Sequence, residues 1–332
     1  MKRIVSILLM AACGATAGAA SLPAYIVTKA ARGKDLLVVS RQRAAVTVQL
    51  PEQLRGTVQI PIDDIRSITF SLPSVANRAT SAFEQRKWSE AQALFKAALA
   101  PYTAFLDLPN NNIVPLMWQY AESFRLDVKY DEAIALYQQF DALPSGLHKQ
   151  RAQLGRAYCD CAMGRTKEAR ALVDSAAPTN HAEALFAQAQ MVRARISLSE
   201  GNPLQAVDEI ARAVATMRIE SDVYPECLFV SAACYEALES IRKEQPAVKD
   251  PFGESDARYG SAKVVLPEAM ANLLQVASGI HQQVTNMFPG TVWADQSRAE
   301  LARLSEELSK AKNETPETAH NESAVETEEK RE

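Results

Sequence analysis

The sequence predicts a mainly α fold: a series of helical hairpins preceded by a small antiparallel β-barrel-like domain. Three observations predict it. An alanine-anchored amphipathic pattern recurs four times between residues 74 and 243. Short runs of β-branched residues fill residues 21–73. Only 12 of the 332 residues are glycine, about half of ordinary usage, which disfavours glycine-rich phosphate loops and many-turned β folds. The charge balance narrows the partners: 36 Lys and Arg against 40 Asp and Glu, a net −4, is not the basic excess of a nucleic-acid binder.

The chain opens with Lys2 and Arg3, an apolar run from Ile4 to Cys13, and the small-residue stretch Gly14–Ala20. This is the pattern of a secretory signal peptide, residues 1–20, with cleavage after Ala19 or Ala20. A second reading takes Met10-Ala11-Ala12-Cys13 as similar to a bacterial lipobox, with acylation at Cys13. The run falls short of the about 20 residues that a membrane-spanning helix needs, and no later stretch could span a bilayer. The expected location is outside the cytoplasm, periplasmic or envelope-associated.

Residues 21–73 hold five short strands, centred on Tyr25–Val27, Leu36–Val39, Ala45–Leu50, Thr57–Ile60 and Ser67–Phe70. Polar links such as Arg32–Asp35 and Arg41–Arg43 separate them. The end of the unit, Ile60–Ile68, resembles the last two strands of an SH3-like or Sm-like barrel joined by one helical turn. Seven basic and four acidic residues give it a net +3. Its core is small, so it is expected to pack on the helices that follow.

From Ser74 the period becomes helical. Aligned on Ala91, Ala133, Ala169 and Ala206, offsets 0, +3, +4 and +7 are apolar or aromatic at fifteen of sixteen places, Glu209 being the exception. Start signals precede each face: Ser89 with Gln92 as a capping box, Asp131 and Thr166 as N-caps, and Asn202 before Pro203. Twelve residues before each anchor stands another alanine: Ala79, Ala121, Ala157 and Ala194.

These residues make the segment resemble a tetratricopeptide-repeat array. Trp88 and Tyr130 supply the family's aromatic in the first two repeats, and Gly164 and Gly201 its inter-helix glycine in the last two. Thr166 and Pro203 depart from the aromatic position. Anchor spacings of 42, 36 and 37 exceed the family's repeat length, and the excess falls around Pro101–Asn112. The resemblance implies stacked helical hairpins whose first helices line a groove for a protein or peptide. By motif position Trp118, Glu122, Arg125, Tyr158 and Arg195 face that groove; packing against neighbouring helices is the competing fate of Trp118 and Tyr158. The family's carboxylate-gripping set would fall on Pro73, Asn77, Gln119, Arg151 and Gly155, of which only Asn77 and Arg151 are suitable.

A fifth helix begins near Pro225. Residues 244–264, with Pro246, Pro251, Gly253 and Gly260, read as a loop or insertion. Residues 265–312 form a closing helical hairpin, and "FPGTVWA" from Phe288 to Ala294 resembles the end of periplasmic tetratricopeptide proteins. Residues 313–332, with seven Glu against one Lys and one Arg, are too polar and charged to build a core and read as a disordered acidic tail. Past the leader there are four cysteines, Cys159, Cys161, Cys227 and Cys234, with no C-x-x-C; they are expected to be reduced and mostly buried.

No nucleophile, metal or phosphate motif occurs. His148, His181, His281 and His320 lack partners at ligand spacing, and Asp63-Asp64 is a lone acidic pair in the barrel turn. The expectation is a non-enzymatic, exported interaction scaffold without cofactor or metal, binding another protein or peptide of the envelope. The alternative is a structural subunit of an envelope assembly, lipid-anchored at Cys13.

Overall fold

The computed structural model describes residues 21–30, 33–50, 56–144, 146–176, 184–219, 221–244 and 273–314. The leader with Cys13, the insertion from residue 245 on, His181, His320 and the acidic tail beyond Glu314 lie outside them. The chain divides into two compact units, Met1–Ala176 and Ala177–Glu332.

The first unit begins with β1 (Leu22–Thr28), β2 (Lys34–Gln42), β3 (Ala45–Gln49), β4 (Thr57–Pro61) and β5 (Ile65–Phe70), with the helical turn Ile62–Asp64 before β5. All pairings are antiparallel and the strand order is β4-β3-β2-β1-β5. Alternation explains the single buried face: Ala24, Ile26, Val38, Val46, Val48, Ile68 and Phe70 lie inward, while Tyr25 and Leu37 point outward. These inward residues share one core with the helices that follow.

The expected barrel is an open sheet. No ladder joins β4 to β5 among the described residues. The reason is a competing partner for β5: the outward backbone groups of Arg66, Ile68 and Phe70 meet three consecutive asparagines. Asn110 Nδ2 donates to the Arg66 carbonyl (3.0 Å), and Asn111 bridges Ile68. Asn112 takes both the N–H and the C=O of Phe70 at 2.9 Å each. The same segment caps the next helix, since Asn111 Oδ1 accepts from the N–H groups of Ile113 (3.0 Å) and Val114 (3.2 Å). Tyr102 and Phe105 pack their rings on Phe70 at 5.3 and 5.5 Å. The extra residues between the first two repeats are therefore a latch for the sheet edge.

Three hairpins complete this unit: α1 (Ser74–Glu84) with α2 (Trp88–Leu99), α3 (Ile113–Leu126) with α4 (Tyr130–Gln138), and α5 (Leu147–Ala162) with α6 (Thr166–Ala176). In the second unit α7 (Ala184–Ser199) pairs with α8 (Pro203–Thr216), followed by α9 (Tyr224–Glu244), α10 (Leu273–Met287) and α11 (Val292–Glu314). The eight repeat alanines are all fully buried, at 0% exposure. With only a methyl group at each crossing, the two helices of a hairpin approach closely.

The turn inside each hairpin has one geometry. Arg86, Val128, Gly164 and Gly201, each five residues before its anchor alanine, adopt φ of 60°, 62°, 76° and 76°. The next residue's N–H closes a six-residue bond to the preceding helix in every case: Lys87 to Ala82, Lys129 to Phe124, Arg165 to Asp160 and Asn202 to Ser197, at 2.8–2.9 Å. This is a Schellman cap, and the second helix starts at once behind it.

That immediacy overturns the expected caps. α2 and α4 begin at Trp88 and Tyr130, one residue ahead of Ser89 and Asp131, and Thr166 is itself the first residue of α6. Asn202 is at the N-cap position without a side-chain cap bond. Gln92 does not reach back to Ser89. It is buried and donates to the Ser123 carbonyl and to Asp127, both at 3.1 Å, which ties α2 to the end of α3.

Candidate functional site

Four of the five residues expected in the groove come together on α3 and α5. Trp118 and Arg125 are two turns apart on α3; Arg151 and Tyr158 are two turns apart on α5. They meet crosswise. The Arg151 guanidinium stacks on the Trp118 ring at 4.4 Å, and the Arg125 guanidinium lies over the Tyr158 ring at 4.6 Å. Both fall within the about 6 Å range of a cation–π contact.

The two levels differ in burial. Glu122 and Arg125 have side chains only 11% and 9% exposed and form an ion pair at 2.7 Å. Tyr137 of α4 donates its hydroxyl to Glu122. Burial, and then the adjacent Glu122 carboxylate, holds the Tyr137 hydroxyl well above its ordinary value of 10, so it remains a donor. Tyr158 is likewise buried. This level is a closed polar network inside the packing of α3, α4 and α5.

The upper level is open. Trp118 is half-buried, resting on Tyr137 and Phe140 with centroids 5.4 and 6.4 Å away. Leu147, one turn before Arg151, is 58% exposed. His148 beside it is held below its ordinary value by burial and then by Arg151, which keeps it neutral near pH 7. Thr80 of α1 donates to Gln119 of α3 at 3.1 Å, which extends the same face toward α1. Of the carboxylate-gripping positions, Gly155 is filled from behind: a Cβ there would come within 2.7 Å of the Tyr137 ring.

Arg195 belongs to the second unit. It is half-buried on α7. Its charge favours the Cys234 thiolate, but burial dominates and pushes that thiol up to about 12. The apolar-pattern exception, Glu209, is buried on α8, where Ser197 of α7 donates to it at 2.7 Å and Gln205 at 3.0 Å. All four described cysteines are buried and none forms a disulfide.

Three features invisible to motif reading also emerge. A cavity of about 700 Å³ opens between the Ile62–Asp64 turn and the connectors near Pro109 and Pro144, with Lys29, Asp63 and Asp107 on its walls. Arg41 pairs with Asp107 at its margin. In the second unit His281 sits between Ser297 Oγ (Nδ1, 3.0 Å) and Glu236 (Nε2, 3.2 Å), and Arg303 also pairs with Glu236. Burial works against the Glu236 carboxylate, but the hydrogen bonds from His281 and Arg303 outweigh it and lower its pKa. Ser297 is fully buried, so this chain of polar groups ties α9, α10 and α11 together and offers no accessible nucleophile. Among the described residues no group of three or more His, Cys, Asp or Glu is placed to hold a metal, and no helix is long and apolar enough to cross a membrane.

No family model matches the chain, and no curated protein matches it. Among solved structures it is similar to the APC/C hetero-tetramer Cut9-Hcn1, at 13% identity and a TM-score of 0.42, over 70% of this chain and 42% of that one. The chain thus spans less than half the length of that protein. It is also similar to a Rap protein complexed with competence and sporulation factor, at 15% identity and a TM-score of 0.42, over 71% of this chain and 75% of that one. A third is a putative kinesin light chain of Podosopora anserina with nearly identical TPR-like repeats, at 17% identity and a TM-score of 0.40, over 63% and 94%.

Proposed function

We propose that this protein is an exported, non-enzymatic scaffold that holds a polypeptide partner against the face formed by α3 and α5. The observation that carries this reading is the open cation–π level. Trp118, stacked under Arg151 and half-exposed, presents the aromatic and arginine chemistry that dominates protein interfaces. The closed Glu122–Arg125–Tyr158 level beneath it fixes the spacing of the two helices, so the upper pair is presented on a rigid base. Export rests on the leader pattern of Lys2–Ala20.

The test is retention of an envelope protein by immobilised residues 21–312. Wild type and Val128→Gly, which lies at a hairpin turn, are expected to retain the same species. Trp118→Ala and Arg151→Ala are expected to lose it. Equal retention by all four, or retention by none, sinks the proposal. The Met10–Cys13 pattern keeps a second reading alive, an anchored subunit of an envelope assembly. Fatty-acid labelling of wild type but not Cys13→Ser would support it, and an unlabelled wild type would end it.

A further inference from the structure

The sheet of the first unit has two edges, and they are treated differently. On β5 every outward-facing residue, Arg66, Ile68 and Phe70, is engaged by the three asparagines. On β4 the phase of the ladder shows what faces out. Leu50 donates to the Gly56 carbonyl and Ile62 to the Ala44 carbonyl, both at 2.9 Å. With the register Val46↔Ile60 and Val48↔Val58, the alternation of an antiparallel ladder turns Val58 and Ile60 toward β3. The N–H and C=O groups of Thr57 and Gln59 therefore point away from the sheet. Pro61, the next outward position, has no N–H and ends the usable edge.

We propose that this edge pairs with β4 of a second copy of the chain, antiparallel about a two-fold axis through Val58. The geometry is self-complementary. Thr57 of one copy faces Gln59 of the other, each such pair exchanging two hydrogen bonds, and Val58 faces its own symmetry mate. No charge on the strand opposes a like-with-like match: β4 reads Thr-Val-Gln-Ile-Pro, so the two-fold sets no charge of this strand opposite its own kind, which would oppose pairing. Natural edges are commonly guarded by a charged side chain, and β4 carries none. A head-to-tail pairing of β4 with β5 is closed off, because the outward groups of β5 are already taken.

So short a contact lies well below the about 1,200 Å² of a stable interface, and the pair is accordingly weak and concentration-dependent. The test is sedimentation velocity on residues 21–332 from about 10 µM to about 1 mM, the range where so small an interface would assemble. Amide hydrogen exchange is followed over the same series. Dimer is expected to grow with concentration while exchange at Thr57 and Gln59 slows, by about threefold or more at the top of the range. Gln59→Pro, which removes an outward N–H and spares the β3 ladder, is expected to weaken dimerisation at least about tenfold. A chain that stays monomeric throughout overturns the proposal. So does a dimer with unprotected Thr57 and Gln59 amides, or one that a folded Gln59→Pro forms equally well. Should Gln59→Pro lose its circular dichroism signal, the exchange pattern of the wild type decides.

Discussion

Val128 is the sharpest place to test the turn geometry. Its backbone has φ of 62° and its side chain is 66% exposed. A left-handed conformation costs an L-residue roughly 1–2 kcal/mol, and a β-branched side chain belongs at the upper end. Glycine removes that strain but returns roughly 0.5–1 kcal/mol through the larger entropy of the unfolded chain. Little burial is lost with a side chain so exposed. Val128→Gly should thus stabilise the first unit by about 0.5–1 kcal/mol, a rise in Tm of about 1–4 °C for a unit of this size. The mirror change, Gly164→Val at φ of 76°, should destabilise by about 0.5–1 kcal/mol, the strain of the left-handed valine less the same entropy term. Differential scanning calorimetry on residues 21–332 reads both. A Val128→Gly chain that melts lower than wild type would refute the reasoning, because the valine would then be contributing something its exposed position does not show.

Other outcomes follow from single contacts. Gly155→Ala drives a methyl group within 2.7–3.0 Å of the fully buried Tyr137 ring, and chemical denaturation should show a loss of about 1–3 kcal/mol from overpacking. Asn112→Ala leaves the Phe70 N–H and C=O without their partner; denaturant midpoints should fall by the equivalent of about 1–3 kcal/mol, and exchange at the Phe70 amide should accelerate. The buried thiols should resist a thiol reagent at pH 8 and react only on unfolding. Burial holds Cys234 up to about 12 against an ordinary 9.0, and raises Cys227 well above it. Their contribution is complete below pH 9 and is lost as pH climbs from 9 toward the raised values, so stability should decline over that window; a flat profile there in wild type, matched by Cys234→Ala, would contradict it.

Much of the helical architecture was legible because it is local. Alanines at fixed intervals report close helix crossings, and all eight proved fully buried. The exception to the pattern, Glu209, is accommodated by Ser197, a hydroxyl twelve residues back that no periodicity points to. The caps misled for a physical reason: a Schellman turn delivers the chain directly into the next helix, so Ser89 and Asp131 fall inside it. Two of those turns carry Arg86 and Val128 where glycine would have signalled them. That the side chains expected in a groove lie near one another was partly legible. Motif position brought Trp118, Glu122, Arg125 and Tyr158 onto neighbouring helices, but it could not reveal that Tyr137 of a third helix engages Glu122 from behind. The asparagine latch was illegible, because Asn112 and Phe70 stand 42 positions apart in sequence.

That latch also sets how far any edge-to-edge growth can go. A sheet with two free edges can add strands at both sides, and head-to-tail addition has no natural end. With Asn110–Asn112 occupying one side, the described sheet has one edge left for the pairing proposed above, and growth by that pairing would halt at two. Replacing Asn110, Asn111 and Asn112 by alanine in the whole chain would lift this stop while leaving the helices that complete the sheet's core. On the pairing proposed above, open-ended growth would then be expected in place of closed pairs.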